Sequence, residues 1–156
     1  MPIAPQEIRT FFISFSTWGR RSILQSERMC DLLLGVLREN RAKQRFQLHE
    51  FVFMRDHVHL ILTPGPDVPL EKAMQFIKGG FSYRAKKELS FNGEIWQKGY
   101  NERRIRDAGE FAQFADYIWM NPVKAHLVER AEDHKYSSAS LRSEVDEPPP
   151  QFRSGE

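Results

Sequence analysis

The residues best suited to chemistry in this chain are two histidines inside the strand-like run from Phe51 to Leu62 (FVFMRDHVHLIL). Successive side chains of a strand point to opposite faces, so His57 and His59 share one face while Val58 lies on the other. Neutral imidazole nitrogens held side by side can bind one divalent metal. The triplet therefore indicates a candidate metal site; the alternative is a half-buried strand whose histidines are only hydrogen-bonded.

Two histidines leave a divalent ion short of ligands, so an oxygen or nitrogen from elsewhere in the chain is needed. Asp56, Glu102 and the amide of Asn121 are the candidates by residue type. A metal with open coordination positions can act as a Lewis acid on a phosphoryl oxygen. That chemistry requires a nucleophile.

The candidate nucleophiles are the four tyrosines, because the chain has no activated-serine motif and its single cysteine lies in an apolar helical pattern. A tyrosine phenoxide can form a covalent intermediate. Tyr117 and Asn121 are four residues apart and share one face of a predicted helix. Tyr83 lies among basic residues, Tyr100 is a candidate for stacking on bases, and any of the tyrosines can simply pack. These observations narrow the candidate nucleophile to a tyrosine but do not select one of the four.

The charge of the chain is unevenly distributed although its formal net charge is only +2. Residues 72–106 carry nine Lys or Arg against three Glu, whereas residues 129–156 carry seven acids against four bases. A basic stretch that contains aromatics suggests a nucleic acid partner, the alternative being a solvated helix face. The DNA-facing candidates are Lys78, Tyr83, Arg84, Lys87, Trp96, Arg103, Arg104 and Arg106.

The elements that must position these residues follow from hydrophobic periodicity. It predicts strands at 9–17, 46–53, 57–62 and 95–105, and helices at 25–41, 70–89 and 107–120. Asn121-Pro122 is expected to end or kink the last helix, because the residue before proline disfavours the α conformation. The predicted class is α+β: a ferredoxin-like β-α-β-β-α-β order with an antiparallel sheet, the histidine strand central in it, plus a C-terminal helix that carries Tyr117.

The length of 156 residues predicts one domain, over residues 1–141. Residues 142–156 contain three consecutive prolines and alternating charges, which predicts a disordered tail. No apolar run approaches the roughly 18 residues of a membrane span. The first residues lack the pattern of a signal peptide, so we expect a cytoplasmic protein without membrane contact.

Four motifs resemble, in order and spacing, the REP-associated tyrosine transposases, single-tyrosine HUH transposases related to those of small insertion sequences. The resemblance covers about residues 9–136, and its motifs are Asp56-His-Val-His-Leu60, Gln75-Phe-Ile-Lys-Gly-Gly-Phe-Ser-Tyr-Arg84, Trp96-Gln97 and Tyr117-Ile-Trp-Met-Asn-Pro-Val-Lys-Ala125. It departs from the common pattern at Arg55, where proline is usual, and at Trp119, where histidine is frequent.

The resemblance implies a single-strand DNA endonuclease and strand transferase that acts on hairpin-forming palindromic repeats, as a monomer or homodimer. It implies that His57, His59 and Asn121 bind Mg²⁺ or Mn²⁺, and that Tyr117 attacks the scissile phosphate to give a 5′-phosphotyrosine and a free 3′-hydroxyl. Two alternatives stay open: a non-catalytic hairpin-binding protein derived from such an enzyme, and a replication or mobilisation initiator. The initiator is less favoured because the chain has no room for a helicase domain.

Overall fold

Four strands pair into one antiparallel sheet of order β2-β3-β1-β4 in the computed structural model, which describes residues 7–153. The strands are β1 (Thr10–Ser16), β2 (Phe46–Phe53), β3 (His57–Pro64) and β4 (Asn101–Ile105). The helices are α1 (Glu27–Ala42), α2 (Leu70–Leu89) and α3 (Ala108–Lys124). The predicted α+β class and element order are confirmed.

Strand β3 is central, as predicted, with β2 on one side and β1 on the other. Its pairing with β1 sets Ser14 opposite His59 and Ser16 opposite His57. Directly opposed residues of an antiparallel pair share a face, so these serines and histidines project from the same side of the sheet. The pairing thereby fixes the polar surroundings of the two imidazoles.

Helices cover both faces of the sheet and divide the interior into two apolar clusters. Helices α1 and α2 pack on the face that includes Phe51 and Leu60, whereas α3 packs through Phe111 and Ile118 on the opposite face against Ile61. Burial of each such side chain contributes about 1.5–3 kcal/mol. The helix that carries Tyr117 therefore lies on the histidine face.

Two predicted boundaries were wrong. Strand β4 begins at Asn101 rather than at residue 95, because the Trp96 ring is buried in the core and its backbone makes only an isolated bridge with Thr17. Helix α3 continues through Pro122 to Lys124. A proline in the last turn removes a single helical hydrogen bond, and Pro122 is itself buried, which favours the longer helix.

The predicted disordered tail is also wrong over residues 142–153. Val145 and Phe152 are buried, and the Asp146 carboxylate accepts hydrogen bonds from Arg41 and from the Leu48 amide. The buried side chains of Val145 and Phe152, together with the Asp146–Arg41 pair to α1, therefore dock this segment, although its prolines and charges predicted disorder. Residues 154–156 of that tail, and the first six residues of the predicted domain, lie outside the described part. Within the described part, no helix is long and apolar enough to cross a membrane.

Candidate active site

The two imidazoles of β3 lie side by side, with 4.9 Å between their ring centroids. His57 Nδ1 is 2.7 Å from Asp56 Oδ1, and His59 Nδ1 is 2.7 Å from Ser14 Oγ. The Asp56 carboxylate can only accept, so it favours the His57 tautomer in which Nδ1–H donates and the Nε2 lone pair is free. The Ser14 hydroxyl can accept from or donate to His59 Nδ1, and it is available to accept in the tautomer whose Nε2 lone pair would bind a metal. A carboxylate that accepts from the far nitrogen of a histidine is a usual support of a metal ligand, and Asp56 is so placed behind His57.

Burial favours the neutral form of the His59 imidazole, which is the form that can bind a metal. Removal of the ring from water, with the charges of His57 and Arg20 acting in the same direction, lowers the pKa of His59 to about 4. The imidazole is therefore neutral near pH 7, where a metal can bind its free nitrogen without displacing a proton.

The described residues contain no group of three or more His, Cys, Asp or Glu that could hold a metal, so a metal on the histidine pair would need a third ligand of another type. The Asp56 carboxylate is already engaged by His57 and lies 3.6 Å from Arg20. Glu102 pairs with a core residue of β1 and points to the opposite sheet face from the histidines. Of the three candidates, Asn121 remains: it is half-buried on α3, one helical turn after Tyr117 and on the same helix face.

Tyr117 is the tyrosine that the fold brings to the histidines. Its ring centroid lies 5.3 Å from that of His59 and 5.7 Å from that of Phe12. The side chain is nevertheless 44% exposed, which leaves it open to a substrate. It borders an open cleft of about 430 Å³, lined by Phe12, Ser14, His59, Gln113, Phe114, Asp116, Tyr117 and Lys124.

The other three tyrosines are associated with the α1–α2 side of the sheet. Tyr83 is exposed on α2, and Tyr100 packs at the edge of the core beneath α1 and α2. Tyr136 is buried and donates a hydrogen bond to Asp31; burial and that carboxylate raise the pKa of its phenol. Among the four tyrosines, Tyr117 is therefore the one whose ring lies close to an imidazole of the histidine pair.

Trp119, the departure noted in the sequence, serves a structural contact. Its Nε1 donates to Glu50 Oε1 at 2.6 Å, and that carboxylate is buried and also accepts from Ser138 and Arg142. The indole N–H is therefore occupied by a carboxylate of β2. The Glu50 carboxylate, which also accepts from Arg142, thus links α3 to the start of the C-terminal segment.

Two cations border the cleft. The Arg103 guanidinium lies 5.6 Å from the Phe114 ring centroid, and Lys124 lines the cleft itself. Sequence reasoning missed Lys124, as it missed Gln113 and Asp116. Helical spacing could have found Lys124, because a residue seven positions after Tyr117 returns to the same helix face.

Two of the predicted DNA contacts hold the protein together instead. Lys78 Nζ donates to the carbonyl oxygens of Gln97 and Gly99, and burial lowers the pKa of this lysine. Trp96 is only 8% exposed, and its Nε1 donates to the Lys78 carbonyl. Both residues fasten the chain between α2 and β4, so the Trp96 ring is not open to stacking on a base.

The remaining predicted contacts are spread over the surface. Tyr83 is 63% exposed with the Lys87 ammonium 5.6 Å from its ring centroid, on the face opposite the histidines. Arg84 and Arg104 each form ion pairs with glutamates. Arg106 is exposed just after β4. Of the eight predicted contacts, Arg103 is the one beside the cleft.

The fold thus sets a histidine pair on the central strand of an antiparallel sheet and a helix-borne tyrosine close to it, the arrangement expected from the sequence resemblance. The chain belongs to the family described as "Transposase IS200 like", whose model matches residues 11–121. Transposases are DNA-cleaving enzymes. The resemblance to REP-associated tyrosine transposases is confirmed.

Individual relatives agree with this assignment. The chain is 27% identical over 140 residues to the REP-associated tyrosine transposase of Escherichia coli (strain K12), covering 85% of this chain and 81% of the relative. A relative from Haemophilus influenzae is 33% identical over 103 residues, 60% of this chain and 58% of that protein. The solved structure of a REP-associated tyrosine transposase bound to a REP hairpin shares the fold, with a TM-score of 0.76, 22% identity, and coverage of 99% of this chain and 91% of that one.

Proposed function

We propose that this chain is a metal-dependent single-strand DNA endonuclease and strand transferase that acts on hairpin-forming palindromic repeats through a Tyr117 phosphotyrosine. The observation that carries the proposal is the 5.3 Å separation of the Tyr117 and His59 rings across α3 and β3. An exposed phenol thus lies close to the imidazole of His59, whose neighbour is the imidazole of His57, and this supports their acting together. The solved relative bound to a REP hairpin supports the substrate class.

The residues present fit a divalent metal. His57 and His59 would bind it through Nε2, since both Nδ1 atoms already have partners, and the Asn121 amide oxygen would be the third ligand. Mg²⁺ or Mn²⁺ suits a site completed by amide, water and phosphate oxygens. When bound, the metal supplies positive charge that polarises the scissile phosphate.

The protein's own side chains would carry out the transfer. The Tyr117 hydroxyl oxygen attacks phosphorus and the bond to the 3′-oxygen breaks, which leaves a 5′-phosphotyrosine and a 3′-hydroxyl. The phenol proton is lost as the new bond forms, and the leaving oxygen gains one. Attack by a 3′-hydroxyl on the phosphotyrosine reverses the bond change and releases Tyr117, so rejoining needs no energy cofactor.

Charge around the cleft favours this attack. The ammonium of Lys124 and the guanidinium of Arg103 lie at its border, where they attract the scissile phosphate. Tyr83, Lys87 and Arg106 are the exposed members of the predicted contact set that remain candidates for the flanking hairpin.

The test is incubation of the protein with a DNA hairpin that carries single-stranded flanks, with Mn²⁺, followed by denaturing electrophoresis. Wild type should form a covalent protein–DNA adduct, and Tyr117→Phe should lose it while hairpin binding persists. Tyr100→Phe, at a half-buried tyrosine on the α1–α2 side of the sheet, is the matched control and should keep the adduct. An adduct that survives in Tyr117→Phe contradicts the proposal, and binding without any cleavage favours the hairpin-binding alternative.

A further inference from the structure

The loop that follows β1 carries an exposed aromatic, Trp18, and two residues further an exposed cation, Arg20, that contacts the neighbours of His57. Trp18 is 46% exposed, and the Arg20 side chain is 61% exposed. Of the chain's three tryptophans, Trp96 is buried and Trp119 is bonded to Glu50. Nothing in the transposase assignment gives this loop a role.

The backbone of this loop is fixed although its side chains face solvent. The Thr17 amide donates to the Asp56 carbonyl, the Trp18 amide donates to the Ile95 carbonyl, and the Thr17 hydroxyl donates to the Arg21 carbonyl at 2.7 Å. Arg21 also donates to the carbonyl of Glu94. An exposed indole on a fixed backbone loses little conformational entropy when a flat ligand stacks on it.

Arg20 connects the loop to the candidate metal centre. Its Nη1 donates to Ser16 Oγ at 2.6 Å, and its Nε lies 3.6 Å from Asp56 Oδ2. The other oxygen of Asp56 contacts His57 Nδ1 at 2.7 Å. One carboxylate therefore separates the guanidinium from an imidazole that would bind the metal.

The backbone conformation at this position is unusual for an arginine. Gly19 has φ of +62° and Arg20 has φ of +56°, so two successive residues are left-handed. A side chain raises the energy of that conformation, and such strain is concentrated at functional sites. The two contacts of Arg20 hold it there, with its remaining N–H groups open to a phosphate.

We propose that Trp18 and Arg20 form a subsite for one unpaired nucleotide of the DNA strand next to the scissile phosphate. The Trp18 indole stacks on the base, and Arg20 binds the phosphate attached to it. Stacking and an arginine–phosphate contact together match a single-stranded nucleotide, since a paired base would not expose its face. This subsite rests on the proposed function, because it takes its substrate from the strand that Tyr117 cleaves.

The first test is DNA binding in a Tyr117→Phe background, which prevents cleavage during titration. Trp18→Ala should weaken binding of the single-stranded flank roughly 5- to 150-fold, the loss expected for one base-stacking aromatic. Trp18→Phe should retain most of the affinity. Leu127→Ala, which removes another exposed apolar side chain, is the control and should bind as the parent does. Parent-like binding by Trp18→Ala overturns the subsite.

Two readouts locate the contact. Single abasic substitutions along the flank should identify one position, next to the cleaved phosphate, where loss of the base weakens DNA binding by the parent but not by Trp18→Ala. Arg20→Gln should reduce the slope of log affinity against log salt by about 0.7, as for loss of one phosphate contact in a single strand, while Arg20→Lys should restore it. Uniform abasic effects, or an unchanged salt slope, overturn the assignment.

The adduct assay on wild type separates this proposal from the one on which it rests. A Tyr117 adduct with no dependence on Trp18 overturns the subsite and leaves the proposed function intact. Position-specific binding through Trp18 without any adduct supports the nucleotide subsite and overturns the proposed cleavage. Absence of both binding and adduct overturns both.

Discussion

Ser14→Ala tests whether the partner of His59 supports metal binding. Ser14 Oγ lies 2.7 Å from His59 Nδ1, so the substitution removes the acceptor for Nδ1–H in the tautomer that would bind a metal at Nε2, and with it a group that orients the ring. Loss of such a supporting partner typically lowers metal affinity about 10- to 100-fold. The His59 ring is also held between Phe12 and Tyr117, with centroids at 5.5 and 5.3 Å, which limits its rotation. We therefore expect the lower end, about tenfold or ~1.4 kcal/mol.

Calorimetric titration with Mn²⁺ measures this effect directly, and the Mn²⁺ concentration needed for half-maximal cleavage measures it in the reaction. Both should shift about tenfold in Ser14→Ala, with a loss of folding stability near 1 kcal/mol or less for one hydrogen bond. Ser22→Ala is the matched control, because Ser22 is exposed and makes no capping hydrogen bond with its side chain. Equal Mn²⁺ affinity in wild type and Ser14→Ala would refute the tautomer argument.

Three further predictions concern stability. Glu50→Ala should destabilise the fold by about 1–3 kcal/mol in urea unfolding, because the Trp119 N–H and the buried Ser138 hydroxyl lose their acceptor, whereas the half-exposed Arg142 can turn to water; an unchanged unfolding free energy would contradict the network. Phe152→Ala should cost about 3 kcal/mol because the ring is 9% exposed, whereas a disordered C-terminal segment would lose nothing. The pKa of His59 is lowered to about 4 in the folded protein, so on acidification the unfolded state binds a proton before the folded state does. The stability that is present above about pH 6.5 should therefore fall by up to ~1.4 kcal/mol per pH unit as the pH approaches 4. Urea midpoints between pH 7 and 5 measure this, and His59→Gln should flatten the curve.

The parts of the site that local spacing determines were predictable from the sequence. Alternation along a strand put His57 and His59 on one face, and helical spacing put Tyr117 and Asn121 together. The order of elements then gave the α+β class and the central position of the histidine strand. Each of these inferences needs only the period of one element or the order of several.

The parts that depend on tertiary placement could not be predicted in the same way. Lys78 and Tyr83 belong to the same basic stretch as Arg103, yet α2 and the cleft lie on opposite faces of the sheet. Which face a helix covers is decided by the path of its connections rather than by its composition. Trp96 illustrates the same limit, since an aromatic beside basic residues reads as a DNA contact until its burial is known.

The C-terminal segment shows why composition alone overestimated disorder. Three prolines and mixed charges in residues 142–156 predict disorder. Residues 142–153 are nevertheless docked, with Val145 and Phe152 buried and Asp146 paired with Arg41. The partners of Asp146 are Arg41 and the Leu48 backbone, about a hundred positions earlier, and the Phe152 ring packs near that of Phe111. Sequence proximity gives no signal for such contacts.

The most direct test of the central claim is the identity of the residue that becomes linked to DNA. Wild-type protein is incubated with the hairpin substrate and Mn²⁺, digested with protease and nuclease, and analysed by mass spectrometry for a nucleotide-bearing peptide. The account predicts a 5′-phosphotyrosine on Tyr117 and on no other tyrosine. A nucleotide on Tyr83, Tyr100 or Tyr136 would contradict it.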